Sequence, residues 1–105
     1  MIEELYKAAE QEAPNEMCGL IIEQNGIEKF IKCKNLEEDK KKGFKIDPKL
    51  FVQYQLNSKI KYVVHSHYEE DSTPSEHDKN ACKALGIPYM IVSYPEKGVT
   101  VYDPS

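Results

Sequence analysis

The sequence predicts an α/β fold, one domain over residues 1–105 in which a mixed β-sheet is flanked by helices. Three observations lead there. Short apolar, β-branched runs alternate with segments of helical spacing. Turn signals at Asn25-Gly26 and at Pro95-Glu96-Lys97-Gly98 put hairpins toward both ends of the chain. The 105 residues suffice for one modest core and not for two.

Ile2 to Glu12 places Ile2, Leu5, Tyr6 and Ala9 at helical spacing with charge opposite, and Pro14-Asn15 stops it. Glu16 to Glu23 reads as an apolar strand, turned at Asn25-Gly26 and answered by a partner strand over Ile27 to Cys33. Asn35 to Lys42 is polar, with Glu37-Glu38-Asp39 directly before Lys40-Lys41-Lys42, and reads as a mobile, solvated loop. Phe44 to Ile46 adds a short strand, and Asp47-Pro48 caps a helix running to about Asn57. Lys61 to His65 is the central strand, followed by an acidic loop to Thr73. Ser75 to Leu85 is helical and ends at Gly86, ahead of Pro88. Tyr89 to Tyr94 and Val99 to Tyr102 form the second hairpin.

Composition narrows the function classes. A net charge of -4 with 30% charged residues excludes an extended nucleic-acid footprint. No apolar run approaches a membrane span, and Met1-Ile2-Glu3-Glu4 lacks the features of a signal peptide, so a soluble, cytoplasmic protein is expected. Three cysteines, Cys18, Cys33 and Cys82, cannot all pair within one chain and lack the spacing of a structural zinc site. Reduced thiols follow. Cys18 reads as a buried hydrophobe rather than a nucleophile.

Chemistry concentrates between His65 and Asp78. Histidines at i and i+2 on a strand share a face, so both imidazoles can reach one point. Thr73-Pro74-Ser75-Glu76 has the form of a capping box, which puts Asp78 in the opening turns of a helix. Two neutral imidazoles and a carboxylate suit a tetrahedral zinc ion with its fourth position left for water, the pattern of catalytic zinc sites. His77 points about 100° away from Asp78 on a helix and reads as a surface residue. Glu69, Glu70 and Asp71 offer a rival ligand, although adjacent acids in a loop are usually solvated.

The spacing His65-x-His67, seven residues, Ser75, two residues, Asp78 resembles the signature of the JAMM (MPN-type) zinc metalloproteases. Glu16-Met17-Cys18-Gly19-Leu20-Ile21-Ile22 looks like the setting of that family's N-terminal glutamate. Cys33-Lys34-Asn35, Gly43-Phe44-Lys45-Ile46-Asp47-Pro48 and the run from Gly86 to Ser93 extend the likeness to phage tail assembly proteins of the lambda K type. The resemblance implies a JAMM-like, cytidine deaminase-like fold that binds one zinc ion through His65, His67 and Asp78. It implies that Glu16 moves protons from attacking water to leaving amine, that Ser75 stabilises an oxyanion, and that a peptide or isopeptide bond is hydrolysed. Substrates implied are proteins or peptides, among them phage tail proteins or conjugates of a ubiquitin-like protein. The location implied is the cytoplasm of a host cell or the virion tail. In many relatives a cysteine peptidase domain of the NlpC class follows.

Duller readings stand beside these. Ser75 can simply start a helix, Glu16 can be a strand-end charge, and MPN domains without metal ligands serve as binding or assembly modules. Tyr68 stands where many relatives carry proline, which bears on the loop beyond it. Nucleoside deaminases require a Pro-Cys-x-x-Cys element that this chain lacks.

Overall fold

Alternation along the strands sorts the apolar side chains onto two faces of one sheet, and each face collects its own helices. The computed structural model describes residues 1–105, in the order α1 (Ile2–Glu12), β1 (Cys18–Gln24), β2 (Ile27–Cys33), α2 (Pro48–Asn57), β3 (Lys59–Tyr68), α3 (Glu76–Leu85), β4 (Tyr89–Tyr94) and β5 (Val99–Tyr102). The sheet order is β2-β1-β3-β4-β5. Only β3 and β4 run parallel, and α3 is the crossover that parallel neighbours need.

On one face Leu5, Ala8 and Ala9 of α1 pack against Met17, Ile21, Val64 and Val92. On the other, Cys18, Leu20, Ile22, Val63 and Tyr89 form a cluster against which residues of α2 and α3 pack. His65 and His67 follow Val63 at two-residue steps and therefore belong to this second face. The Asn25-Gly26 turn has φ of 54° and 78°, the doubly left-handed geometry that this dipeptide favours in a hairpin. Gly19 is required where β1 and β2 approach: a Cβ there would lie 2.5 Å from the Ile31 carbonyl oxygen and 2.6 Å from the Phe30 ring. Gly86 closes α3 at φ 74°.

The structure corrects four expectations from the sequence. β3 continues past His65 to Tyr68, so both histidines lie within the strand, and Tyr68 pairs with Tyr94 of β4 in place of leaving the sheet as proline would. β1 begins at Cys18, leaving Glu16 in the connection just ahead of it. Phe44 to Ile46 forms no strand. The segment from Asn35 onward is not a free loop, because Asn35 is buried and its amide is fully used.

That amide organises the connection. Asn35 Nδ2 donates to the carbonyls of Glu16 and Gly43, both at 3.0 Å, and Oδ1 accepts from Glu37 N at 3.0 Å and Lys45 N at 3.2 Å. Glu16 N donates to Lys40 O at 2.7 Å, so the residue is held from both sides of its backbone. Alanine at position 35 would leave four main-chain groups without these partners. Asn35→Ala is expected to lower unfolding stability by about 2–4 kcal/mol in urea titrations. A loss below about 0.5 kcal/mol would mean that water replaces the amide and that the connection is not built on it.

Candidate metal centre

β3 supplies two of the three ligand candidates and the first turn of α3 supplies the third. His65 is fully buried, His67 is 8% exposed and Asp78 6%. His65 Nε2 lies 3.1 Å from Asp78 Oδ1, and His67 Nε2 lies 3.3 Å from Asp78 Oδ2. One ligand atom from each of His65, His67 and Asp78 falls within 4.8 Å of the others, and these three form the only such group of His, Cys, Asp and Glu side chains.

Asp78 is aimed by the start of its helix. Ser75 is the N-cap of α3: its hydroxyl accepts from Asp78 N at 3.1 Å, and Ser75 N donates to Asp78 Oδ2 at 2.9 Å. This capping box begins two residues later than Thr73, where the sequence suggests it, because Ser75 offers the same chemistry and Asp78 answers it. Asp78 therefore caps the helix and faces the histidines with one carboxylate. Burial raises its pKa, but the imidazoles of His65 and His67 outweigh that and hold it far below the usual carboxylate range.

The two rings differ in their surroundings. His67 Nδ1 sits 2.9 Å from the Asp71 carbonyl, which can only accept, so Nδ1 carries a hydrogen and Nε2 faces Asp78. A neutral ring would then point a lone pair at a carboxylate oxygen, an arrangement that is stable only with a proton or a cation between them. The hydrogen bond to Asp78 outweighs burial and pushes the His67 pKa up to about 9. His65 lies beneath the Phe44 ring, stacked at 4.6 Å, with Tyr89 edge-on at 5.6 Å. Burial lowers its pKa against the pull of Asp78.

Neither ring nitrogen of His65 makes a hydrogen bond of good geometry, although Nε2 is close to Asp78. A buried polar atom left this way costs about 1–3 kcal/mol. A cation held by His65, His67 and Asp78 would relieve the lone-pair conflict at His67 and give the His65 nitrogen nearest Asp78 a partner. The donor set of two imidazoles and one carboxylate is the one zinc takes at catalytic sites. The residues present fit the metal.

Glu16 and Ser75 share a cleft of about 420 Å³ with His67 and Asp78. Beyond the bonds of Glu16 itself to Asn35 and Lys40, its neighbour is fixed by Ser66: Met17 N donates to Ser66 Oγ at 2.7 Å, and Ser66 N donates to Met17 O at 3.0 Å. Ser66 stands between the two histidines on the opposite face of β3, so the strand that presents the rings also fixes the residue next to Glu16. Ser66 and Asn35 are positioning residues to which the sequence reading gave no role. Their signal was polarity inside an otherwise apolar strand and immediately after one. Burial, opposed by His67, raises Glu16 from an ordinary glutamate to about 7.

The remaining candidates separate cleanly. His77 is exposed and stands outside the three-residue group, although it lines the cleft wall with Lys41, Lys42 and Glu70. Glu69, Glu70 and Asp71 are exposed, and Asp71 meets the site through its backbone oxygen while its carboxylate accepts from Thr73 N. All three cysteines are free and buried, and burial pushes the Cys18 thiol up to about 12, which removes it as a nucleophile at neutral pH.

A family model described as prokaryotic homologs of the JAB domain matches residues 1–103. The tail tip assembly protein K of Escherichia phage N15 is 30% identical over 103 residues, covering 98% of this chain and 42% of that protein. The chain thus spans less than half the length of this relative. A JAB1/MPN domain protein from Archaeoglobus fulgidus shares the fold at 23% identity and a TM-score of 0.67, over 98% of this chain and 83% of that one. A solved structure described as JAMM, a metalloprotease-like zinc site in the proteasome and signalosome, shares it at 21% identity and a TM-score of 0.59, over 98% and 81%. The mixed five-stranded sheet with three helices is therefore the architecture of JAB/MPN structures. The chain belongs to the prokaryotic homologs of the JAB domain.

Proposed function

We propose that residues 1–105 form a zinc-dependent peptidase or isopeptidase domain that holds one zinc ion per chain through His65, His67 and Asp78. The observation that carries this reading is the convergence of those three side chains at the wall of a cleft that also contains Glu16 and Ser75. Bound zinc would supply Lewis acidity toward the scissile carbonyl and bring the pKa of water near 7.

The chain's own residues provide the rest. Glu16 is the proton carrier: as a carboxylate it takes a proton from the attacking water, and as an acid it gives that proton to the departing amine. A carboxyl group poised near neutrality exchanges protons readily in both directions. The Ser75 oxygen already accepts from Asp78 N, which leaves its hydroxyl hydrogen to donate to the oxyanion of the tetrahedral intermediate. The Asp71 carbonyl keeps the His67 ring in the tautomer with Nε2 toward Asp78.

The substrate in this reading is a protein or peptide. The likeness to a tail tip assembly protein favours phage tail proteins as substrates and a site of action in the host cell or the virion tail. Cleavage profiling against tail proteins, peptidoglycan peptides and ubiquitin-like conjugates separates the candidate classes. A chain that cleaves none of them while still binding a tail protein would be an assembly module.

Elemental analysis of the purified chain is expected to give about one zinc per molecule, and His67→Ala to lose it. Glu16→Gln should retain the metal while hydrolysis falls by about 10²–10⁴. Cleavage by Glu16→Gln at the wild-type rate would remove Glu16 from the mechanism.

Glu16 also makes a stability prediction for the metal-free protein. Its folded pKa of about 7 exceeds the value of 4.5 expected for the unfolded chain, so the folded state holds this proton more tightly. That contribution is fully present below 4.5 and is lost as pH rises through 7. Glu16→Gln carries no such proton. In thermal melts the variant is therefore expected to gain on wild type by a few degrees between pH 5 and pH 8, with little change between pH 3.5 and 4.5. A constant gap across the whole range would show that the Glu16 carboxyl is freely solvated.

A further inference from the structure

α2 and α3 stand on the same face of the sheet without closing over it, and α2 contributes no fully buried residue. Between them runs a groove of about 310 Å³ whose walls are Ile46, Phe51, Val52, Ala81 and Leu85, with Val63 of β3 at its floor. Val52 is 49% exposed and Leu85 40%. Apolar surface left open in this way is a binding feature or a liability.

The position of the groove limits what can fill it. Phe44, His77 and Asp78 line both the groove and the polar cleft that holds Glu16, so the two spaces meet at the proposed metal ligand. The groove and the cleft therefore adjoin, and the simplest occupant of the groove is part of the molecule whose reacting group enters the cleft. Polar groups line the groove only at Lys45, His77 and Asp78, and the other nine lining residues include eight hydrophobic ones. Its volume accommodates one large aliphatic or aromatic side chain with adjoining backbone. The polar cleft next to it is lined by one hydrophobic residue, Phe44, and suits the reacting amide and its charges.

We infer that this groove is a specificity pocket for a large apolar side chain, such as leucine or phenylalanine, flanking the scissile bond of a polypeptide substrate. The inference rests on the peptidase reading above and adds to it a substrate class. Binding of a leucine-sized group in an apolar pocket discriminates against glycine by at least about tenfold.

Two measurements test it, and only one depends on hydrolysis. The first uses Glu16→Gln protein, labelled with ¹⁵N, titrated with N-acetyl-leucinamide and separately with N-acetyl-glycinamide. The leucine probe is expected to shift the amides of Phe51, Val52, Ala81 and Leu85, and Val52→Asp in the same background to abolish those shifts. Identical patterns from both probes, or shifts confined to other surfaces, would overturn the pocket. The second compares kcat/KM for peptides differing only in leucine or glycine beside the cleaved bond. Wild type should prefer leucine by at least about tenfold, and Val52→Asp should bring the ratio near one. Val52→Trp, which fills the groove with bulk instead of charge, should do the same, and circular dichroism shows whether either variant is folded. Equal rates for both peptides in wild type would refute the inference, as would sedimentation showing that Val52→Asp dissociates a dimer, since a second copy would then cover the groove. If no peptide is cleaved at all, the hydrolase reading fails, and the amide shifts still decide the groove.

Discussion

A single carboxylate, that of Asp78, has to satisfy a helix start and two strand histidines at once. The topology makes this possible. Parallel strands need a crossover, and a crossover helix begins where the strand before it ends. β3 ends at Tyr68, one residue past His67, and α3 begins at Glu76, so the first turn of α3 returns to the end of the sheet where both imidazoles stand. The capping box then fixes which way the carboxylate points. A negative group at a helix N-terminus is favoured by the helix dipole, so the same charge that draws a cation also stabilises its own helix. Removing the helix start would unmake the ligand set.

Glu16 reaches the site by the complementary route. β1 runs antiparallel to β3, with Cys18 opposite His65, so the residues just before β1 lie beside the same end of β3. Topology alone would leave Glu16 on a loose connection. Ser66 and Asn35 convert that connection into a built one by taking up the backbone groups of Met17 and Glu16. Through its other three bonds Asn35 also sets the path of residues 37–45, and this path brings Phe44 over the His65 ring. The Glu16 backbone, the ring over His65 and the cleft wall are thus tied to one buried amide.

What the sequence made legible follows the strength of local signals. α1, β2, α2, β4 and β5 were readable because apolar spacing and turn residues coincided at their ends, as at Asn25-Gly26 and Asp47-Pro48. The histidine pair was readable because strand geometry makes i and i+2 neighbours. β3 was cut short because His65, Ser66, His67 and Tyr68 do not look apolar, although here the strand is buried between β1 and β4 on both edges. The charged run Glu37 to Lys42 is largely exposed as its composition suggests, whereas the burial of Asn35 was not readable because its four main-chain partners lie between two and nineteen residues away. Thr73 and Ser75 carry equivalent cap chemistry, and only the three-dimensional position of Asp78 chooses between them. For Glu16, residues alone left a strand-end charge, and its placement depends on pairing that no local pattern encodes.

The two faces of the sheet show why the site lies where it does. In this chain of 105 residues the two sides of the five-stranded sheet are not covered equally. α1 closes one face with Leu5, Ala8 and Ala9, each nearly inaccessible. The other face is left to α2, which buries no residue fully, and to α3, which buries Asp78 and Cys82. The incompletely covered side is also the side that carries both histidines. On it, polar groups converge at one end of an open apolar trough, and Asp78 belongs to both spaces. Poor coverage therefore leaves Asp78 at the meeting point of two open spaces. The price is core stability, and a metal ion that bound only the folded arrangement would return part of it.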